Sequence, residues 1–383
     1  MNKKLFFVSV CLVMFAANFA NSAQGVLLSS YIDFYGLHSA SQGLMSTFQS
    51  AGCVAACLCI LFIAGRIKRW YILIFSAASL FLSMLLIGAK PVFFLLLSFY
   101  FIIGLGYASA SNVSSSLASD LYKGSSGAMG MVHAFFGLGG LLAPLVLQAA
   151  LDRISWNWVC VLDAVVIMLV LIFYLISLKS SKQVICELKD TGNKISAADV
   201  RAFFSRGRNI LLLIGTFGYM AYQNGVNVWI SRYTSVELGT ADLGALTLSL
   251  FWVGNTIARL TVTRIKVRTE LLFSAGCLIS AAAFGVGLMA NNSVTMLVCI
   301  IICGIASGAS IPQLYHMGCT WNHESSLLPT SVLGLTMFIS CMITAPVTAS
   351  LTSYGLLAGM ISVLVYVFIG GMGMLPLALK KQD

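Results

Sequence analysis

Side chains that both donate and accept hydrogen bonds recur on single faces of long apolar runs in this chain of 383 residues. Asn18, Asn21 and Gln24 fall on one helical stripe. Tyr219, Gln223 and Asn227 stand at i, i+4 and i+8 of another run, with Asn224 beside them. Ser109 and Asn112 share a third face with Ser116. A carboxamide offers two donors and an acceptor, which matches hydroxyl groups that do both. With Trp252, Trp229 and Tyr219 available for apolar faces, such a set suits a neutral, polyhydroxylated ligand. The competing role is to tie helices together, at about 0.6 kcal/mol per side chain. For one isolated Asn that role is favoured; for a cluster spread over three apolar segments, a binding site is.

Ionisable groups are scarce in those segments. An acid placed inside a membrane costs about 2.5 to 3.5 kcal/mol on insertion scales, so each one is a functional candidate. Of the 12 acidic residues, only Asp163 falls within an apolar run. His133 and His316 also fall inside runs, where an imidazole titrating near neutrality can serve as a relay or gate. No nucleophile, base and third group can be assembled from the embedded residues, so catalysis is not expected. The 11 cysteines show no metal or redox spacing and read as small apolar side chains. No metal and no cofactor are expected, and the absence of a phosphate-cradling loop argues against ATP as the drive.

The elements that position these residues follow from the apolar runs themselves. Windows of about 20 apolar residues predict twelve membrane-spanning helices, at 5–31, 41–64, 70–88, 92–118, 126–150, 155–178, 210–230, 243–262, 271–290, 294–317, 326–351 and 355–377. Composition agrees, with 59% hydrophobic and 9% charged residues, far from the roughly 25% charged of soluble chains. Threaded in that order from a cytoplasmic N-terminus, only Lys90, Arg153 and Arg232 of the 22 Lys and Arg residues lie outside. That asymmetry predicts both termini in the cytoplasm, as in a multi-pass protein of a bacterial-type inner membrane. The net charge of +10 then faces anionic lipid and calls for no nucleic acid. Arg259 is assigned to the last turn of the eighth span, which leaves no cation for the middle of any span. Lys3, Lys4 and the run that follows imitate a secretory leader ending near Asn21 to Ala23, yet the apolar stretch continues to Tyr31 and reads as a retained helix.

The chain is internally repeated. Arg66, Ile67, Lys68 and Phe75, Ser76, Ala77 recur, at one constant offset, as Arg264, Ile265, Lys266 and Phe273, Ser274, Ala275. Gln24, Gly25 and Val26 similarly find a counterpart in Asn224, Gly225 and Val226. A basic, polar stretch at 180–209 separates the copies, which predicts one half at 1–179, a cytoplasmic linker, and a second half at 210–383. Within the linker, Ser196 followed by Asp199 predicts a short surface helix bearing Val200, Phe203 and Phe204.

Two pseudo-symmetric six-helix halves with a basic central loop resemble the major facilitator superfamily over essentially the whole chain. The fifth span, from Met131 through His133, Gly137, Gly139 and Gly140 to Pro144, is similar to that of the fucose, galactose and glucose symporter-like branch. Gln223 six residues before Trp229, then Ser231 and Tyr233, and Phe251, Trp252, Gly254 and Arg259 in the eighth span fit the same branch. The resemblance implies a central cavity lined by spans one, four, seven and ten, a solute held near the bilayer midplane, and alternating access. It also exposes departures. The loop Asp of the superfamily is missing, since Gly65 runs directly into Arg66, Ile67, Lys68 and Arg69. The fourth span keeps Asn112 but holds Ala108 where the branch carries a proton-bearing Glu, and Gln223 likewise replaces a Glu.

The combined expectation is a secondary active or facilitative carrier, monomeric, importing a sugar or similar neutral polar solute, with H+ or Na+ as the candidate coupling ion. The substrate set is Asn18, Asn21, Gln24, Ser109, Asn112, Tyr219, Gln223, Asn224, Asn227 and Trp252. Asp163, His133, His316, Arg66 and Arg264 are the candidates for coupling or gating. The rival expectation is an exporter of hydrophobic or cationic compounds, weakened by the lack of a carboxylate in spans one, four or seven. A sensor built on a carrier scaffold is disfavoured, because the chain ends a few residues after the twelfth span.

Overall fold

The computed structural model describes residues 2–37, 44–63, 66–123, 125–181, 195–240, 243–322 and 326–380. Apolar runs become helices here because in lipid the backbone has no other hydrogen-bond partner than itself. The first six spans are Asn2–Tyr35, Leu44–Ile63, Arg69–Ile87, Phe93–Leu121, Ser126–Leu151 and Trp156–Ser180. The next are Gly207–Arg232, extended by a wider turn at Tyr233–Glu237, then Gly244–Thr261 and Thr269–Ala290. The tenth is broken into Ser293–Ser307 and Ser310–Trp321, and the last two are Leu327–Thr352 and Leu356–Leu379. The first helix runs without interruption through the leader-like residues Asn21 to Ala23.

Among the described residues, 10 of these segments are long and apolar enough to cross a membrane. The two that fall short are the polar ones. Gly207–Arg232 carries Arg208, Asn209, Gln223, Asn224 and Asn227. Gly244–Thr261 has 18 residues, among them Asn255 and Arg259. Between the sixth and seventh spans lies the short helix Ala197–Ser205, with Asp199 in its first turn, Phe203 buried and Phe204 exposed. Residues 182–194 of the linker lie outside the described residues, as does Gly65.

The helices group into two compact units, Met1–Ser196 with Glu324–Leu335, and Ala197–His323 with Thr336–Asp383. In the first unit span two packs on span four, and in the second span eight packs on span ten. Both pairs depend on glycine. A Cβ at Gly52 would sit 2.0 Å from the Phe101 carbonyl oxygen, and one at Gly104 2.0 Å from that of Gln49. A Cβ at Gly254 would meet the Gly304 backbone at 2.9 Å. Backbones this close replace the missing hydrophobic drive between helices with van der Waals contact. The repeat seen in the sequence therefore reappears as the same helix pairing inside each unit.

Candidate functional site

In the first unit the carboxamides of span one form a chain rather than a row. Gln49 of span two donates through Nε2 to Asn21 Oδ1 at 2.7 Å, and Asn21 donates to Asn18 Oδ1 at 3.3 Å. Asn18 then donates to the Phe136 carbonyl of span five at 2.9 Å. At Asn21 and Asn18 the amide oxygen thus accepts a hydrogen bond while the NH2 group donates onward, an arrangement in which successive bonds polarise one another. Asn18 is 1% exposed and tied to a neighbouring backbone. Asn21 and Gln24 are half-buried, and Gln24 donates to Ser46 Oγ at 2.7 Å.

Span four contributes Ser109 and Asn112, both buried. Asn112 donates to Cys57 Sγ at 3.2 Å, and its oxygen lies where a Cβ on Gly334 would come within 2.3 Å. One turn onward, Ser115 Oγ lies 3.2 Å from His133 Nε2 of the fifth span. Asp163 is fully buried, and among the described residues neither carboxyl oxygen has a hydrogen-bond partner. Arg66 is exposed, whereas its neighbour Arg69 is only 7% exposed. Arg69 Nη1 donates to Ser116 Oγ at 2.8 Å and pairs with Asp120 at 2.5 Å. Ser116 also bonds Ser326 at 2.9 Å.

The second unit places the face expected at i, i+4 and i+8 as a working set. Tyr219 donates to Gln223 Oε1 at 2.9 Å, and Trp252 Nε1 donates to Asn227 Oδ1 at 3.1 Å. Tyr219 is fully buried, Gln223 is 5% exposed, and Asn224 and Asn227 are half-buried. Behind Trp252 stands a cation. Arg259 lies in the last turn of its helix, as expected, yet it is 1% exposed rather than facing the cytoplasm. Its guanidinium lies 5.8 Å from the Trp252 ring centroid and its Nε donates to the Gly308 carbonyl at 2.9 Å, at the break in the tenth span. Its burial there is possible because a broken helix exposes a carbonyl that a long side chain can reach and satisfy. His316 is half-buried on the helix after that break, and Arg264 is exposed.

Sequence reading therefore missed Gln49, Arg259 and the bridge from Arg69 to Asp120. Gln49 was available as a lone carboxamide in an otherwise apolar run. Arg69 stood in a row of cations with nothing local to separate it from Arg66.

These features define an all-α, multi-pass membrane transporter with uncharged hydrogen-bonding side chains on its helices. Residues 10–319 match the profile of the Major Facilitator Superfamily, and the chain belongs to that family. It is 24% identical over 223 residues to the glucose/mannose transporter GlcP of Bacillus subtilis, a match that spans 54% of this chain and 54% of that protein. The structure resembles the E. coli fucose:proton symporter FucP, with TM-score 0.71, 17% identity, and coverage of 98% of both chains. It also resembles the proton:xylose symporter XylE bound to 6-bromo-6-deoxy-D-glucose, with TM-score 0.75, 14% identity, and coverage of 98% of this chain and 94% of that one.

Proposed function

We propose that this protein imports a sugar or similar neutral polar solute by alternating access. It acts as a monomer in a bacterial-type cytoplasmic membrane, with both termini cytoplasmic. Residues 1–179 and 210–383 are the two repeats, joined by the linker at 180–209. The solute moves down its own gradient or with H+ or Na+.

One observation carries the reading: the Tyr219–Gln223 and Trp252–Asn227 pairs are uncharged, and each amide is held through its oxygen. That leaves the amide nitrogens to donate to cargo hydroxyls, with Asn21, Gln24, Ser109, Asn112 and Asn224 as further partners. Trp252 supplies the flat apolar surface on which a sugar ring packs. The names of the relatives, transporters of glucose or mannose, fucose and xylose, support the same class.

The test is thermal stability of the purified protein against panels of sugars, glycosides, nucleosides and drug-like cations. A solute that binds only the folded protein adds about 2.7 kcal/mol of stability at a hundred times its dissociation constant. Stabilisation by neutral sugars is expected. Stabilisation confined to hydrophobic or cationic compounds would replace this reading with that of an exporter.

A further inference from the structure

Asp163 is the one buried acid among the described residues, and the candidate solute site does not use it. It lies seven residues, about 10 Å along a helix axis, from Trp156 at the start of the sixth span. Tyr100 of the fourth span and Cys160, one turn earlier on the same helix, are buried near it, and Tyr31 of the first span is buried against both of them. The Tyr31 hydroxyl lies 3.6 Å from Cys160 Sγ, and the Tyr31 ring meets those of Tyr100 and Trp156 edge to face, at 6.3 and 5.3 Å. No cation faces this acid among the described residues of the packed helices. The third span brings Arg69 and Tyr71 at its opposite end, since Gly88, past its last turn, abuts Asn157. The fifth brings only His133, bonded to Ser115 of the fourth span.

A carboxylate with neither oxygen hydrogen-bonded and no cation beside it does not stay charged inside a membrane; it takes up a proton and becomes neutral. A purely packing side chain here would avoid the cost of an acid altogether. The end of the bundle is nevertheless close. Phe34 is exposed, and Tyr35 and Trp156 are half-buried, at the end of the bundle nearest Asp163. Lys90 lies at the same end, 6.0 Å from the Phe34 ring centroid. A carboxyl that meets water when this end of the bundle opens gives up its proton, and burying it again requires the proton back.

We propose that Asp163, with the phenols of Tyr31 and Tyr100, is a proton-binding site of this transporter, set apart from the carboxamides that hold the solute. A sodium site is disfavoured because a hard cation needs six or so oxygen ligands, and the neighbours here supply two phenols and a thiol.

Infrared difference spectroscopy of the full chain in liposomes tests this without any cargo, so its outcome is independent of the solute reading. Wild type should show a protonated-carboxyl band that fades as the medium is made alkaline. Asp163→Asn, the nearest mimic of the neutral acid, should lose the band, and Asp163→Glu should shift it. The absence of any such band in folded wild type overturns the proposal, because the acid is then ionised. A band that persists at every pH the fold survives overturns it too, because the acid is then permanently neutral and structural. Sodium added at fixed pH should leave the band in place; its removal by sodium would make this a metal-cation site instead.

Discussion

Arg69 and Asp120 join the start of the third span to the end of the fourth at 2.5 Å, and the same guanidinium nitrogen holds Ser116. Ser116 in turn bonds Ser326 just before the eleventh span, so one buried cation organises three segments of the first unit. Arg66, the gating candidate three residues earlier, is exposed.

Removing the Arg69 side chain should therefore cost far more than removing that of Arg66. Asp120 is 35% exposed, and water screens part of the loss. The expected destabilisation for Arg69→Ala is about 1 to 3 kcal/mol, against about 0.5 kcal/mol or less for Arg66→Ala and Arg264→Ala, whose side chains are exposed. Thermal unfolding in detergent measures both. Equal melting temperatures for the Arg69 and Arg66 variants would remove the bridge from this account.

The amides of span one should separate by role. Asn18→Ala leaves the Asn21 donor and the Phe136 carbonyl without their partner in a buried position, and should cost about 1 to 3 kcal/mol of stability with little effect on solute affinity. Gln24→Ala is expected to behave the opposite way, since Gln24 is half-buried and bonded only to the Ser46 hydroxyl among the bonds it shows. Paired melting and binding curves decide the matter. If Asn18→Ala weakens binding as much as Gln24→Ala does, the amide chain is part of the solute site.

How far the sequence could be read has a physical pattern. Helix existence was legible because apolar length is a local property, and it sufficed even for the more polar seventh and eighth spans. The face bearing Tyr219, Gln223 and Asn227 was legible because helical periodicity alone puts them together. What such a face meets is decided by residues far away in the chain. Thus the partner of Asn21 proved to be Gln49, and the partner of Arg259 proved to be a carbonyl at Gly308. The place where the tenth span breaks likewise depends on what satisfies the released backbone groups, here Arg259 at the Gly308 carbonyl.

Gln223 is where binding and stability should be most cleanly split. Gln223→Ala removes an amide that bonds Tyr219 and, in the proposed site, donates to cargo, so it should weaken solute binding by about 1 to 3 kcal/mol. Tyr219→Phe removes only the donor that fixes the amide, so it should weaken binding by less while freeing Gln223 to rotate. Titration calorimetry with whichever sugar stabilises the protein checks the order. Unchanged affinity in folded Gln223→Ala and Asn227→Ala variants would move the site elsewhere.

The last prediction concerns the break in the tenth span. Gly308 sits where a Cβ would come 2.3 Å from the Gly304 carbonyl oxygen and 2.4 Å from the Asn255 backbone, and neither of these is a side chain that can swing away. Gly308→Ala should therefore push the eighth and tenth spans apart and destabilise the second unit by about 1 to 3 kcal/mol or more. Arg259→Lys tests the same junction electrostatically. A lysine keeps the charge but loses the planar group that bonds the Gly308 carbonyl while lying over Trp252, so the substitution is not conservative here. Lower stability together with altered tryptophan emission is expected, because the cation leaves the indole at the same time as it leaves the carbonyl. A lysine variant as stable as wild type, with unchanged emission, would show that any buried cation suffices and that the guanidinium geometry contributes nothing to holding the break.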